Sequence, residues 1–420
     1  MTAQLNWAGN YTYRAHNVQR PDTLERLQEL VANSESVRAL GSRHSFNSIA
    51  DTRGTLISLQ DIDADITLDR AARTVTLGGG TKYGTLADEL SRQGFALHNL
   101  ASLPHISVAG AISTATHGSG DGNGNLATAV CGLEVVTGTG EVVALSREST
   151  DDFAGIVVGL GALGIIARVT LDIQPIFSVR QDVFEDLPWS GVLAHCDSVT
   201  VTAAAYSVSL FTDWSGDTVQ QAWLKSRVTG EVAARSEFFG GTPALQARHP
   251  LPLLSGLNCT QQMGIVGPWH DRLAHFRLAF TPSSGAELQS EYLVAREYAV
   301  AAMEAMRDLT DCITPLLLVS EIRTIAADDL WLSPNYGRAG IGLHFTWKPE
   351  QDAVEKMLFL IEAALAPFQA RPRWGKLFEL RAAELEALYP KFRDFTGLAE
   401  RMDPAHKFRN DFLGRTVFGG

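Results

Sequence analysis

Between Val108 and Leu126 the chain is packed with Gly, Ser, Thr and Asn, including Gly118, Gly120, Gly122 and Gly124. Such a run buries little apolar surface and exposes many backbone N–H groups, so neither a long helix nor a core strand suits it. It predicts an irregular loop, which regular elements on both sides must hold. Loops of this composition often wrap a ligand; a solvated surface loop is the plainer alternative.

The neighbouring residues predict those elements. Asp22 with Glu25 resembles a capping box, and Leu24, Leu27, Leu30 and Val31 form one apolar face of a helix ending near Asn33. Val37 to Leu40 reads as a buried strand running into Gly41. Ile66–Leu68 and Thr74–Leu77 read as strands joined through Asp69-Arg70, and Leu86–Gln93 as a helix with Gly94 just past its end. Leu133 to Leu145 predicts a hairpin turning at Gly138-Thr139-Gly140. Leu160 to Ile166 lead into a strand ending near Ile173. Beyond Pro175 the pattern changes to longer alternating strands, such as Ala204–Trp214 and Leu316–Ile325, while 226–259 shows no usable periodicity.

A length of 420 residues exceeds one ordinary core and predicts two domains. The net charge of -12 argues against nucleic acid and anionic membranes, which reward clustered Lys and Arg. No apolar segment approaches the ~20 residues of a membrane span. The N-terminus has no basic stretch followed by an apolar run, so no secretory signal is read there. Cys131, Cys196, Cys259 and Cys312 form no Cys-x-x-Cys and suit free thiols in a reducing compartment. These features predict a cytoplasmic protein without a metal site. It is expected to work as a monomer.

Gly41-Ser42-Arg43-His44-Ser45-Phe46-Asn47 forms a tight turn after a predicted strand. Small residues let backbone N–H groups approach a pyrophosphate. One imidazole nitrogen is a competent nucleophile toward an activated methyl group of a flavin. The same peptide also suits a loop histidine satisfied by hydrogen bonds. Ser113 to Gly120 adds His117 and several hydroxyls able to bind phosphate oxygens and a ribityl chain. Gly78-Gly79-Gly80 is a weak signal, because no Gly-x-Gly-x-x-Gly opens a helix there and a Rossmann site is unsupported.

Glu321 and Arg323 are two apart, as are His344 and Thr346. On strands, residues two apart share a face. If the two strands pair, these four groups form a polar patch, with Phe345 and Trp347 packed behind. Such a patch offers donors and acceptors to a chain of hydroxyls, and no apolar pocket signature accompanies it. A structural ion pair on an exposed sheet face is the alternative.

In order along the chain, the Gly-Ser-x-His-Ser turn, Leu103-Pro104-His105-Ile106-Ser107-Val108-Ala109-Gly110 and Thr116-His117-Gly118-Ser119-Gly120 resemble the vanillyl-alcohol-oxidase-type family of FAD-linked oxidases. The similarity runs from Asn6-Trp7-Ala8-Gly9-Asn10 to the C-terminus. The resemblance implies an α+β, PCMH-type two-domain fold. Residues 1–175 would bind FAD, 176–374 would build a substrate domain on an antiparallel sheet, and 375–420 would complete the FAD domain. It implies that FAD is bonded to His44 through the flavin 8α-methyl carbon. Gly41, Ser42, Arg43, Ser45, Ser102, Ser107, Gly110, Thr114, Ala115, Thr116, His117 and Ile166 are the further implied cofactor contacts. The family often has Gly where this chain has Arg43, and an arginine is strained there if the position needs positive φ.

By the same resemblance, Glu321, Arg323, His344, Thr346, Lys376 and Ser102 meet the substrate. The implied reaction oxidises the terminal hydroxyl of an alditol such as xylitol or sorbitol to the aldose by hydride transfer to the flavin. Oxygen then takes the electrons and leaves as hydrogen peroxide. Arg323 and Lys376 would hold the reacting oxygen, and either Glu321 or His344 would assist proton removal. The alternative within the family is oxidation of an aldonolactone.

Overall fold

The computed structural model describes residues 4–15, 18–62, 65–200, 205–230, 235–280 and 287–419. Near the N-terminus Thr55–Ile57 pairs in parallel with Val37–Ala39 on one edge and Val18–Gln19 on the other. Helix Leu24–Asn33 buries Leu27 and Val31 at helical spacing. Its cap is Thr23, whose side chain accepts from the Arg26 N–H, so the expected Asp22–Glu25 box is replaced by a hydroxyl cap one residue on.

The next sheet runs in the order Thr67–Asp69, Thr74–Gly78, Ile165–Asp172, Val130–Val136 and Val142–Ser146, every pair antiparallel. Its Val130–Ser146 hairpin closes through Gly140 at φ +87°, close to the expected turn. Helix Tyr83–Arg92 begins earlier than the expected Leu86, and Gly94 follows it at φ +82°.

The glycine-rich stretch departs from the expected irregular loop at its start, where Val108–Ile112 is a short helix. The irregular remainder is mostly buried, with His117, Ser119, Asn123 and Asn125 all in the interior, so the alternative of a solvated surface loop does not hold. Its N–H groups are largely used by the protein itself: Gly120 N donates to Thr324 O at 2.9 Å and Leu126 N to Thr116 O at 2.7 Å. Asn99 and Asn123 each donate to the Ser119 carbonyl, which satisfies an acceptor that a loop would otherwise leave bare.

The largest sheet is antiparallel. Its central order is Ser178–Pro188, Thr218–Val228, Ser207–Thr212, Leu317–Ile325, Gly340–Trp347 and Leu288–Ala295. The expected Ala204–Trp214 strand is seen as Ser207–Thr212, and its first expected residue, Ala204, lies outside the described residues. Phe345 and Trp347 stack at 5.1 Å, and Phe345 also stacks on Trp214 at 6.0 Å. They share one core with Met303, Met306 and Ile361 of helices Ala299–Asp308 and Gln351–Leu365. One sheet face is thus closed by aromatics and helices, and the other is free to carry polar groups. Of the unplaced 226–259 stretch, residues to Val228 extend a strand, and most of the described rest is irregular.

The last residues return to the N-terminal sheets. Phe46 N donates to Gly375 O, Val37 N donates to Lys407 O, and the Asn410 amide donates to the carbonyls of Ser48, Ile49 and Asp51. Arg38 locks this junction. Its buried guanidinium donates to the carbonyls of Ile49, Leu160, Gly161 and Phe408, joining the strand Val37–Ala39 to the turn at Ile49, a loop and the C-terminal segment. Replacing Arg38 with Met would leave four carbonyls short of a donor, at about 1–3 kcal/mol for each one that stays dry. We expect Arg38→Met to lower the thermal unfolding midpoint by at least several degrees; a midpoint within one degree of wild type would show that water replaces the guanidinium without cost.

Candidate active site

Strand register builds the polar face one row at a time. Glu321 sits opposite His344, and His344 sits opposite Glu291 on its other side. Phe211 extends this row beyond Glu321. One step along, Thr346 faces Gln289, and Arg323 faces Gly342. The expected pairing of the Glu321 and His344 strands is therefore direct, and Phe345 and Trp347 do pack behind it.

Glu291, fully buried, is the hub. Arg323 Nη2 lies 2.6 Å and His117 Nε2 3.1 Å from its Oε1, and Arg373 Nη1 lies 2.9 Å from its Oε2. Arg373 also donates to Thr116 Oγ1 at 2.9 Å, which ties the glycine-rich loop to the same carboxylate. Burial pushes the Glu291 carboxyl up, but His117, Arg323 and Arg373 outweigh it and hold it well below its ordinary value. A Cβ on Gly342 would come 3.4 Å from Glu291 Oε1 and 3.7 Å from His117 Cε1, ordinary contact distances that place this strand position directly against the pair.

Glu321 has partners on both oxygens. His275 Nε2 lies 2.7 Å from Oε1, and Arg323 Nε lies 3.5 Å from Oε2. Burial raises its carboxyl while Arg323 and His275 lower it further, so it stays ionised well below the usual carboxylate range. His344 donates from Nε2 to Gln289 Oε1 at 3.2 Å, leaving the lone pair on Nδ1. The Gln289 amide nitrogen donates to Glu287, which fixes the direction of its oxygen. Lys376 donates to that same Gln289 oxygen. Burial pushes His344 down to about 3, so the ring is neutral at physiological pH. Burial and then Arg373 pull Lys376 well below its ordinary value.

The polar face forms one end of a cavity of about 730 Å³, and the His44 turn forms another part of its wall. Gly41, Ser42, Arg43, His44, Ser45, Ser102, Ser107, Gly110, Thr114, Thr116, His117 and Ile166 all line it, as do Glu321, Arg323, His344, Thr346 and Lys376. Ala115 is the exception among the expected residues. It is buried at φ +50° and absent from the wall, because the chain turns there and presents Thr114 and Thr116 instead. Arg43 does occupy the left-handed region, at φ +64°, a strain of about 1 kcal/mol or more for a side chain with a Cβ. Its carbonyl accepts from Trp7 N at 2.8 Å, and the Trp7 ring stacks on His44 at 5.0 Å, so the N-terminal residues brace the turn.

The wall fits a dinucleotide with a flavin. His44 Nδ1 donates to the Ser42 carbonyl at 3.0 Å, so the ring's lone pair lies on Nε2, which is buried without a partner. Burial pushes His44 down to about 4, and the ring is therefore neutral and nucleophilic at pH 7. Ser107 Oγ is likewise buried and unpartnered. A Cβ on Gly41 or Gly110 would come 2.6 or 2.8 Å from that oxygen, so both glycines keep this part of the cradle open. Gly79 and Gly80, the weak signal of the sequence, line the cavity as backbone.

Several wall and supporting residues were not expected. Glu291, Gln289 and Arg373 belong to segments the sequence did not single out, and His275 and Lys225 come from still others. The one available signal was Glu291 itself, a lone carboxylate inside the strand Leu288–Ala295. The cavity also has an apolar side, contrary to expectation: Leu251, Leu254, Leu257, Phe276 and Phe280 line it. Leu257 is 73% exposed, which places these side chains toward the solvent-facing rim.

Residues 16–146 match the family described as FAD binding domain, and residues 286–416 match that of D-arabinono-1,4-lactone oxidase. The first span contains His44 and His117; the second contains Glu291, Glu321, Arg323, His344 and Lys376. The chain is 48% identical over 415 residues to an alditol oxidase of Streptomyces sp., covering 98% of both chains. It is 29% identical over 437 residues to the L-gulono-1,4-lactone dehydrogenase of Mycobacterium tuberculosis, again covering 98% of each. Its fold matches a crystal structure of cholesterol oxidase from B. sterolicum with a TM-score of 0.79 at 14% identity, covering 99% of this chain and 96% of that one. An identity of 48% sustained along both chains reflects common descent, and the chain belongs to the vanillyl-alcohol-oxidase-type family of FAD-linked oxidases.

Proposed function

We propose that this chain is an FAD-dependent alditol oxidase, which oxidises the terminal hydroxyl of an open-chain polyol such as xylitol or sorbitol to the aldose. The observation that carries the reading is the pairing of Glu321 with His344 beside Arg323 and Lys376, on one wall of the cavity that also holds the His44 turn, with Glu291 buried behind them. Bound FAD supplies the hydride acceptor and passes the electrons to oxygen, giving hydrogen peroxide. The protein groups bind and orient. Arg323 and Lys376 face the reacting oxygen and favour its developing negative charge. Glu321, ionised, accepts from a neighbouring hydroxyl, and Thr346 and Ser102 complete the substrate contacts. His344 Nδ1, the free lone pair of a neutral ring, receives the hydroxyl proton. The division into an FAD-binding unit of residues 1–175 and 375–420 around a substrate unit of 176–374 belongs to the same reading, as does a monomeric, cytoplasmic protein.

The reading includes a covalent bond from His44 to the flavin 8α-methyl carbon, supported by the bare Nε2 and the neutral ring. Flavin should remain with the chain after acid denaturation, and His44→Ala should release it. Because the neutral ring is the nucleophile, attachment to apoprotein should be insensitive to pH between about 5.5 and 8 and slow as pH falls toward 4. Wild-type protein that loses all its flavin on denaturation would overturn the bond.

Anaerobic stopped-flow reduction tests the substrate. Xylitol and sorbitol should bleach the flavin, with one peroxide per turnover once oxygen is admitted. Glycerol should be poor, since each missing hydroxyl leaves a site group unpaired at about 1–3 kcal/mol. Both the second matching family and the M. tuberculosis relative carry lactone names. Bleaching by an aldonolactone with no response to xylitol would therefore establish that alternative.

Variants test the roles. Arg323→Ala and Lys376→Ala should slow flavin reduction by about two to three decades while flavin content is retained. Near-wild-type rates in both would show that this face does not meet the reacting carbon.

A further inference from the structure

Lys225 is fully buried on the strand Thr218–Val228 and takes part in no salt bridge among the described residues. Its ammonium has three N–H groups and finds three acceptors: Leu273 O at 2.5 Å, Ala274 O at 3.1 Å and His275 Nδ1 at 3.0 Å. A buried cation held by two carbonyls and an imidazole is costly for a merely structural task, which an apolar side chain of the same length would perform. The imidazole is fixed independently. His275 N donates to Ser102 O at 3.1 Å, Thr260 N donates to His275 O at 2.9 Å, and the ring lies 5.3 Å from Trp223 and 5.7 Å from Phe211.

A neutral imidazole carries one N–H. With Lys225 donating to Nδ1, that proton must sit on Nε2, which points at Glu321 Oε1 from 2.7 Å. We propose that Lys225 is a positioning residue for the oxidation: it fixes His275 as the Nε2–H tautomer, and His275 in turn holds Glu321 as an ionised, correctly turned acceptor for a substrate hydroxyl. The proposal rests on the reading of Glu321 as a substrate contact. Without Lys225 the ring has two other states. Its proton can move to Nδ1, which sets a lone pair against the carboxylate, or it can gain a second proton and become a cation paired with Glu321. Either state weakens Glu321 as an acceptor for substrate.

The charged and titratable groups that make up or face this relay are Lys225, His275, Glu321, Arg323, His344 and Cys259. Burial, then Lys225, pushes His275 down to about 4, against the pull of Glu321. Burial also lowers Lys225 to about 7, while Glu321 raises it. Removing Lys225 therefore moves His275 upward toward neutrality, so its protonation state is a readout separate from turnover.

The test uses flavin-loaded protein and four variants: Lys225→Met, His275→Leu, His275→Gln and Glu321→Gln. Nitrogen-15 histidine spectra of the wild type should show His275 protonated on Nε2 alone from about pH 5.5 to 8, and in Lys225→Met the proton should also populate Nδ1, or the ring should gain its second proton at a higher pH than in the wild type. With xylitol, Lys225→Met and His275→Leu should raise KM about tenfold or more and change kcat less than about threefold. His275→Gln, which keeps a donor toward Glu321, should stay within about threefold of the wild-type KM. A wild-type His275 protonated on Nδ1, or unchanged KM in both Lys225→Met and His275→Leu, overturns the relay. If Lys225→Met fails to fold, the contrast between His275→Leu and His275→Gln decides. An unchanged KM in Glu321→Gln instead removes the underlying reading of the site, whereas a raised KM there with no effect of the other variants removes only the relay.

Discussion

The site depends on one buried carboxylate. Arg323 and Arg373 enter the interior because Glu291 meets both, and neither guanidinium would be tolerated there unpaired. Through Arg373 the carboxylate reaches Thr116, and through its contact with His117 it reaches the glycine-rich loop, so a single anion gathers groups distant in sequence. The interaction need not stabilise the fold overall, since buried ion pairs often break even against apolar packing. What it does is hold Arg323 Nη2 and Arg373 Nη1 on one anion, so that both guanidiniums line the cavity in fixed orientations.

Charge is distributed unequally around that anion. Glu291 and Glu321 are both engaged by cations or N–H donors, whereas Lys376 donates to the neutral amide oxygen of Gln289. Its ammonium also lies 4.6 Å from the Phe46 ring centroid, a position stabilised by the ring's negative face. The histidines on this wall are kept neutral by burial. The N–H groups of Lys376 are therefore engaged by no carboxylate, which suits the role proposed for it toward an oxygen gaining negative charge.

The parts of this arrangement legible in the sequence were those set by local periodicity. Two-residue spacing placed Glu321 with Arg323 and His344 with Thr346, and the small residues around His44 marked the turn. What local reasoning could not reach was strand order. The Leu288–Ala295 strand pairs with a strand about fifty residues further on, and only that pairing puts Glu291 beside His344. Lys225 and His275 meet for a similar reason, across a connection containing an irregular segment that periodicity cannot read. The apolar rim from Leu251 to Phe280 was missed because scattered leucines without a repeat look the same in a surface loop and at a cavity mouth. Burial of the glycine-rich loop was left open because its composition reports the scarcity of apolar side chains, not whether other segments cover it.

That loop has a mechanical consequence. At Gly120 and Asn123 it runs alongside the end of the Leu317–Ile325 strand: Gly120 N donates to Thr324 O, and Ala326 N returns the bond to Asn123 O, both at 2.9 Å. The segment with the proposed cofactor contacts is thus stitched, main chain to main chain, to the strand that carries Glu321 and Arg323. Parting the two segments here means breaking both bonds at once. The crossing acts as a single stitch acts in cloth, holding two edges in register where they meet, while the leucine-lined edge of the cavity is left as its softer border.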